Sequence, residues 1–362
     1  MEPHSNSSAS HMSAAKPLRA ICLDGGGYLG LATASFLAEL ERHFDIKVAD
    51  EFNLFCGTST GGIIALALAH GKSAAEIVDL YKRLGTEVFN NKFPGSRAAR
   101  ILRGFFFARY SNTKLKEALA ATFGDATLGD IKARGKYVIV PAFCLTTGTP
   151  RIFKTDHSPE LTRDSGYHVR DIALATSAAP TYLPIATITS PTSGAVEQFI
   201  DGGVYANNPT LLAFTEGVGY LGRRPSELQI LSVATPRDPR SAAERTRPPS
   251  RFERFRLSRG IFGWGPSLAE LFIGSTMKLT HSAVTRVMLG LGAGDGGEKV
   301  GAYVRSDLPT HPHLGLDVAD DGATQDLISI GTNAASQNDF RNRVRPLLTT
   351  RRLNHGEHPE TV

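Results

Sequence analysis

The stretch FNLFCGTSTGGIIALAL, residues 52–68, determines the architecture that we expect for this chain. Its first five residues, all apolar except Asn53, predict a short buried strand, and the apolar run after Gly61 predicts a helix. Between them, the sequence from Gly57 to Gly61 fits the G-x-S-x-G turn that projects a serine from a tight strand-to-helix junction. We therefore interpret Ser59 as a candidate nucleophile at a helix N-terminus, where free N–H groups favour negative charge.

Length and composition are typical of one large α/β domain. The chain has 362 residues, of which 41% are hydrophobic, and no apolar run approaches the 18 residues of a membrane span. We interpret residues 1–12 as the remnant of an expression tag, residues 13–348 as a single domain and residues 349–362 as a disordered tail. We expect a soluble cytoplasmic protein.

Charge and cysteine content limit the expected partners and cofactors. The net charge of +5 is mild for a chain of this length, and we expect neither DNA nor RNA as a partner. Cys22, Cys56 and Cys144 each fall inside a predicted strand without the spacing of metal ligands. These cysteines are therefore predicted to be buried thiols, and we expect no metal and no cofactor.

A second glycine-rich segment, DGGGYLG at residues 24–30, follows a predicted strand at residues 18–23 and precedes a predicted helix at residues 31–43. Gly25, Gly27 and Gly30 satisfy the G-x-G-x-x-G pattern of dinucleotide-binding loops. Consecutive glycines also suit an oxyanion loop, because their N–H groups can converge on one anion. The elbow strand should lie beside the first strand, which brings this loop and Ser59 to one edge of the sheet.

The middle of the chain supplies a candidate general base. A short helix at residues 168–176 leads into TSAAPTYLP, residues 176–184, whose small side chains suit a loop packed near the elbow. A strand at residues 197–200 is followed by Asp201-Gly202-Gly203, and an aspartate at a strand end can act as a base or be a solvated turn residue. Asn207-Asn208-Pro209 predicts the start of another helix, with Pro209 at its first position.

Taken together, these four motifs resemble the patatin-like phospholipases, in the same order and over residues 18–235. The resemblance implies a three-layer α/β fold with a largely parallel central sheet and helices on both faces. It also implies cleavage of fatty-acyl esters of membrane glycerophospholipids by a Ser-Asp dyad. The implied site residues are Ser59 and Asp201 as the dyad, the backbone of Gly25, Gly26 and Gly27 as the oxyanion hole, and the motif positions Asp24, Gly30, Gly57, Gly61, Gly202 and Gly203. Leu29 stands where the family usually has a basic residue.

Other chemistries compatible with the same residues stay open at this point. An ordinary α/β-hydrolase would use a histidine downstream of the aspartate, and His281, His311 and His313 are available. The alternatives to a phospholipase are a general acyl-ester hydrolase or thioesterase, and a nucleotide-binding module that uses the glycine loop as a phosphate cradle.

Two basic segments suggest surfaces for anions. Arginines in residues 97–109 bracket three phenylalanines at 105–107, a pattern typical either of a lipid interface or of phenylalanines packed into the core. Residues 237–259 contain eight arginines and no lysine, which suits a solvated loop or a phosphate site. The segment DGGGYLGL, residues 24–31, is similar to the corresponding segment of bacterial patatin-like antiphage effectors that cyclic oligonucleotides activate. That similarity implies phosphate contacts from Arg251 and Arg254, action at the inner membrane surface and a homo-oligomer on activation.

The sequence also predicts the helices and strands that lie between and after these motifs. The sequence predicts a helix at residues 73–84, strands at 137–145, 152–154, 228–234 and 302–305, and a last helix at 324–344. Ser267 and Glu270 have the spacing of a capping box and predict that a long helix begins there and continues through Met288.

Overall fold

The computed structural model describes residues 16–89, 108–236, 261–290, 301–311 and 313–348. The strands in these residues are β1 Leu18–Leu23, β2 Leu54–Gly57, β3 Tyr137–Cys144, β4 Thr149–Lys154, β5 Ala186–Thr189, β6 Val196–Asp201, β7 Leu228–Val233 and β8 Ala302–Ser306. The α-helices are α1 Gly30–Phe44, α2 Val48–Glu51, α3 Thr60–Ala69, α4 Ala74–Leu84, α5 Thr113–Phe123, α6 Leu128–Ala133, α7 Val169–Thr176, α8 Gly203–Ala206, α9 Thr210–Gly219, α10 Ile261–Gly290, α11 Asp321–Ser336 and α12 Asn338–Val344.

The strands form one mixed sheet in the order β5-β6-β3-β2-β1-β7-β8, with β4 also paired to β3. β3, β2, β1, β7 and β8 run parallel to one another. At one edge of the sheet, β4 and β6 run antiparallel to β3, and β5 runs antiparallel to β6. The predicted largely parallel sheet is thus confirmed for its centre, and the antiparallel strands at one edge include the strand that ends at Asp201.

Both faces of the sheet are covered by helices. In β1, Ile21 and Leu23 belong to a large core cluster shared with α1, α3, α4 and α11, whereas Ala20 and Cys22 belong to a second cluster shared with α9. Successive strand residues point to opposite faces, so the part of a strand that is covered on both sides is apolar at successive positions. The apolar run at residues 20–23 of β1 therefore follows from its central position, and the expected three-layer α/β fold is confirmed.

Local sequence signals located most elements to within a few residues. The first strand has the predicted bounds, and Ser73 caps α4 through a capping box with Glu76. The predicted capping box at Ser267 and Glu270 is wrong as a helix start, because α10 already begins at Ile261 and continues through these residues. A capping-box signature is short-range and does not exclude a helix that begins earlier, and α10 packs against α8 and α9.

The last predicted helix is two helices. α11 starts after Asp320, whose side chain accepts the Ala323 N–H, and the chain is extended at Gln337 before α12 begins. The break lets Phe340 pack against Phe36 with their ring centroids 5.0 Å apart. It also lets Arg341 reach Glu39 of α1 at 2.9 Å.

Pro209 stands one position earlier than predicted. It is the N-cap of α9 and not the first residue of that helix.

Several expectations concern residues outside the described ranges. These are the tag remnant, most of the basic segment at residues 97–109 with its three phenylalanines, the arginine-rich segment with Arg251 and Arg254, and the tail. Among the helices of the described residues, none combines the length and apolarity that crossing a bilayer requires.

Candidate active site

The expected elbow lies at the carboxyl end of β2, where Ser59 is the N-cap of α3. Ser59 has φ 54° and ψ −124°, a conformation that non-glycine residues rarely adopt. Its N–H donates to the Thr176 hydroxyl at 2.9 Å, and that hydroxyl donates to the Pro141 carbonyl at 2.7 Å. Thr58 donates to the Ala206 carbonyl at 2.6 Å. These bonds hold the strained turn in place from three other segments of the chain.

The two glycines of the elbow are required by close backbone approach. A Cβ on Gly57 would lie 2.0 Å from the Gly61 carbonyl oxygen, and a Cβ on Gly61 would lie 2.2 Å from the Leu23 carbonyl oxygen. Neither neighbour can move, because both are backbone atoms of the sheet and the helix. The turn can therefore project Ser59 only with glycine at both positions.

Asp201 ends β6 next to this turn. β2 and β3 are parallel with Cys56 opposite Ile139, and β6 is antiparallel to β3 with Asp201 opposite Ala142. Ala142 lies three residues beyond Ile139 in β3. Asp201 therefore lies past Cys56, at the end of β2 from which the elbow starts. Ser59 makes a side-chain hydrogen bond to Asp201, and the Gly203 N–H donates to Asp201 Oδ1 at 2.7 Å. The two predicted dyad residues are thus brought together.

The surroundings of Asp201 favour its neutral form. Its side chain is buried, and this burial raises the pKa of Asp201 to about 6, although the hydrogen bonds from Ser59 and Gly203 act in the opposite direction. A carboxyl with this pKa is mostly ionised at neutral pH but binds a proton far more readily than an exposed aspartate. Such a group can both accept and return a proton near pH 7.

We expect Asp201→Asn to stabilise the fold at neutral pH. The pKa of Asp201 is raised to about 6, so ionisation of its buried carboxyl lowers the free energy of unfolding. The whole of this loss applies above that pH. The cost is at most on the order of 2–3 kcal/mol, since one pKa unit corresponds to about 1.4 kcal/mol. Denaturant unfolding at pH 7.5 should find the variant more stable than the parent, with a smaller difference at pH 5, where the native carboxyl is already largely protonated.

Asp164→Asn is the matched control for this prediction. Asp164 is also buried, but it is paired with Arg151 at 2.9 Å and Arg163 at 2.7 Å. Removing its charge should lower stability, because Arg151 and Arg163 each lose one ion pair with a buried carboxylate. An Asp201→Asn variant that is no more stable than the parent at pH 7.5 would contradict the assigned electrostatics.

The glycine loop after β1 lies against Ser59 and Asn207. A Cβ on Gly25 would lie 3.2 Å from the Ser59 Cβ and 2.4 Å from Asn207 Oδ1. The Gly25 N–H donates to the Asn207 carbonyl at 3.0 Å, so this one of the three expected oxyanion donors is already engaged. Within the described residues, the N–H groups of Gly26 and Gly27 have no acceptor.

A buried ion pair fixes the residue before this loop. Asp24 is fully buried, and its Oδ2 lies 2.7 Å from Nη2 of Arg305, whose side chain is 6% exposed. Arg305 also donates to the Ser232 hydroxyl at 2.7 Å and to Asp307 at 2.9 Å. The Asp24 N–H donates to the Val233 carbonyl at 3.1 Å. β7 and β8 therefore both fix the position of Asp24, the residue from which the loop starts.

The far side of the loop is held by residues 314–317. The Tyr28 N–H donates to the Leu316 carbonyl at 2.8 Å, and Asp317 accepts hydrogen bonds from Arg109 and from the Tyr110 hydroxyl. Leu29, where a basic residue was expected, is buried. Sequence reasoning missed this support, since residues 314–317 show no motif and approach the loop only in three dimensions.

The three histidines weighed as alternatives are engaged elsewhere or exposed. His281 on α10 hydrogen-bonds the Tyr303 hydroxyl at 2.9 Å, and burial lowers its pKa. His313 Nε2 lies 2.8 Å from Asp326, and the exposed His311 stacks on it. In the described part of the chain, no histidine hydrogen-bonds Ser59.

Comparisons with known proteins agree with this geometry. The family described as "Patatin-like phospholipase" matches residues 21–214, more than half of the chain. A "cGAMP-activated phospholipase" of Vibrio cholerae serotype O1 is 33% identical over 351 residues, which cover 90% of this chain and 93% of that protein. A "cGAMP-activated phospholipase" of Pseudomonas aeruginosa is 38% identical, over 59% of this chain and 61% of that protein. A solved structure, VipD from Legionella pneumophila, superposes with a TM-score of 0.38 at 13% identity over 87% of this chain and 67% of that one, too weak a similarity for conclusions about function.

The matched span begins in β1 and ends in α9, so it contains the elbow, the glycine loop and the Asp201 turn. A relative aligned over nine-tenths of both chains extends the similarity beyond this span. The motifs, their order in the chain and their meeting at one site all agree with this similarity. This chain therefore belongs to the patatin-like phospholipase family and is a lipid acyl hydrolase.

Proposed function

We propose that this protein hydrolyses fatty-acyl esters of membrane glycerophospholipids with Ser59 as nucleophile and Asp201 as the single general base. The observation that carries the proposal is the hydrogen bond between the Ser59 side chain and the buried Asp201 at the strained elbow. The motif glycines have steric roles around this pair, and the distribution of the histidines supports a dyad over a triad.

The proposed reaction has two halves. Asp201 takes the Ser59 proton while Ser59 Oγ attacks the ester carbonyl carbon, and the N–H groups of Gly26 and Gly27 stabilise the oxyanion. The tetrahedral intermediate expels the lysophospholipid alkoxide, which takes the proton from Asp201. Asp201 then deprotonates a water molecule that attacks the acyl-enzyme, and the fatty acid leaves as Ser59 regains its proton.

The test of this function is product analysis on phospholipid vesicles with the activator described below present. We expect mass analysis to find free fatty acid and lysophospholipid, and a fluorophosphonate to label the peptide that contains Ser59. A panel that adds acyl thioesters and short-chain esters separates a phospholipase from a general acyl-ester hydrolase or thioesterase. Intact vesicle lipid, or labelling at another residue, would refute the assignment.

We expect the reaction rate to follow the ionisation of Asp201. The base must be deprotonated, and its pKa is raised to about 6. On a soluble short-chain ester, kcat/KM should therefore fall by about tenfold per pH unit below 6 and level off above about pH 7. A rate that stays constant from pH 5 to pH 8 would contradict Asp201 as the base.

We further propose that a cyclic dinucleotide activates the enzyme. The names of the Vibrio and Pseudomonas relatives state activation by cGAMP, and the Vibrio protein aligns over 93% of its length. Arg251 and Arg254, which lie outside the described residues, are the proposed phosphate contacts, because guanidinium groups bind phosphate with paired hydrogen bonds. Binding would favour an active arrangement, which we propose to be a homo-oligomer acting at the inner membrane surface.

A further inference from the structure

The carbonyl oxygen of Gly25 receives two hydrogen bonds from side chains of other segments. The Thr235 hydroxyl donates to it at 2.8 Å, and Asn207 Nδ2 donates to it at 3.2 Å. Thr235 is 1% exposed and Asn207 is 3% exposed, so water does not compete for these bonds. The Gly25 N–H in turn donates to the Asn207 carbonyl at 3.0 Å. Both polar backbone groups of Gly25 are thus tied to fixed partners.

These bonds determine the direction of the next N–H group. A trans peptide is planar, with its C=O and N–H pointing in opposite directions. Because the Gly25 C=O points towards Thr235 and Asn207, the Gly26 N–H of the same peptide must point away from them. Gly25 itself lies against Ser59, since a Cβ there would be 3.2 Å from the Ser59 Cβ. The peptide that carries the Gly26 N–H is therefore held in one orientation beside the nucleophile.

We propose that Thr235 and Asn207 are positioning residues that aim the Gly26 N–H at the oxyanion. This inference rests on the proposed function, in which that N–H stabilises the tetrahedral intermediate. Thr235 lies two residues past β7, which pairs in parallel with β1, and it lies outside the residues 21–214 that the family matches. Its hydroxyl also fills the space where a Gly26 side chain would be, at 2.4 Å from an added Cβ.

A preoriented donor stabilises the transition state more than a mobile donor does, because no reorganisation is needed as charge develops on the substrate. The donor acts only in the transition state, so misaiming it should lower kcat and leave KM nearly unchanged. A residue with a purely structural role would instead lower stability without a selective loss of kcat.

The experiment compares Thr235→Val with Thr235→Ser in the 362-residue protein with cGAMP present. Valine keeps the branched shape and removes the donor, whereas serine keeps the hydroxyl. On a soluble ester, Thr235→Val should lower kcat by roughly 10- to 100-fold with KM within about twofold, and it should slow fluorophosphonate labelling of Ser59 similarly. Thr235→Ser should recover most of both losses. If Thr235→Val fails to fold, Thr235→Ala removes the same donor and should show the same loss.

Thr155→Val is the matched control. Thr155 is fully buried, and its hydroxyl accepts the Val138 N–H at 3.1 Å near the start of β3, at the opposite end of the sheet from Ser59. This variant should lose stability but keep kcat per folded molecule.

The possible outcomes separate the inference from the function on which it rests. A wild-type protein whose Ser59 does not react with the fluorophosphonate would overturn the proposed function. A reactive wild type together with a Thr235→Val variant of unchanged kcat and labelling rate would overturn the positioning role alone. Equal losses in the valine and serine variants would also overturn it, because the hydroxyl would then not be the active feature.

Discussion

Ester hydrolysis should fall by roughly 10⁴- to 10⁶-fold in Ser59→Ala and by a similar factor in Asp201→Ala, whereas the fold persists. Each change removes one half of a pair that acts as a unit, so the double variant should lose little more than either single variant. Residual turnover would come from substrate binding and the oxyanion donors. The measurement is single-turnover hydrolysis of a soluble ester, with circular dichroism to verify the fold.

Ser35→Ala is the matched control for this loss. Ser35 is a buried serine of α1 whose Oγ has no hydrogen-bond partner within the described residues. Its removal should leave hydrolysis unchanged. If Asp201→Ala kept most of the activity while a change at His281, His311 or His313 abolished it, a Ser-Asp dyad would be wrong and a histidine base would replace it.

Adding cGAMP to the purified protein should raise lipid hydrolysis by about 100-fold. A shift from about 1% active to nearly fully active requires the ligand to bind the active state about 10⁴-fold more tightly, or about 5 kcal/mol. Arg251→Ala and Arg254→Ala should raise the cGAMP concentration needed for half-activation without changing the rate at saturating ligand. The measurements are fatty-acid release over a cGAMP titration and light scattering to follow oligomerisation.

Arg343→Ala serves as the control in this titration. Arg343 is a half-exposed arginine of α12 that pairs with Asp339 within its own helix, and its loss should leave the activation curve in place. Full activity without ligand, unchanged across a panel of cyclic di- and trinucleotides, would contradict the proposed activation. The arginine-rich segment would then have no assigned role in switching the enzyme.

Local sequence patterns were sufficient where a short segment of the chain carries the signal for a structure. The bounds of β1 and the strand-to-helix turn at Ser59 follow from short apolar runs and from glycines that backbone contacts require. Where elements farther along the chain decide the structure, the same reasoning was wrong. α10 starts before its apparent capping box, and the last helix breaks at Gln337 so that α12 can pack on α1.

The sequence by itself determined the motifs from which we propose the reacting residues, because strand-to-turn motifs are local and their order is readable along the chain. The tertiary structure decided how these residues meet. Asp201 reaches Ser59, 142 positions away in the numbering, since β6 runs antiparallel to β3 and ends opposite Ala142, a register that no local pattern encodes. Thr235 and Arg305 contact the glycine loop and the residue before it for a similar reason. The order β1-β7-β8 places their side chains on the residues that begin the glycine loop, and strand order depends on packing across the whole sheet.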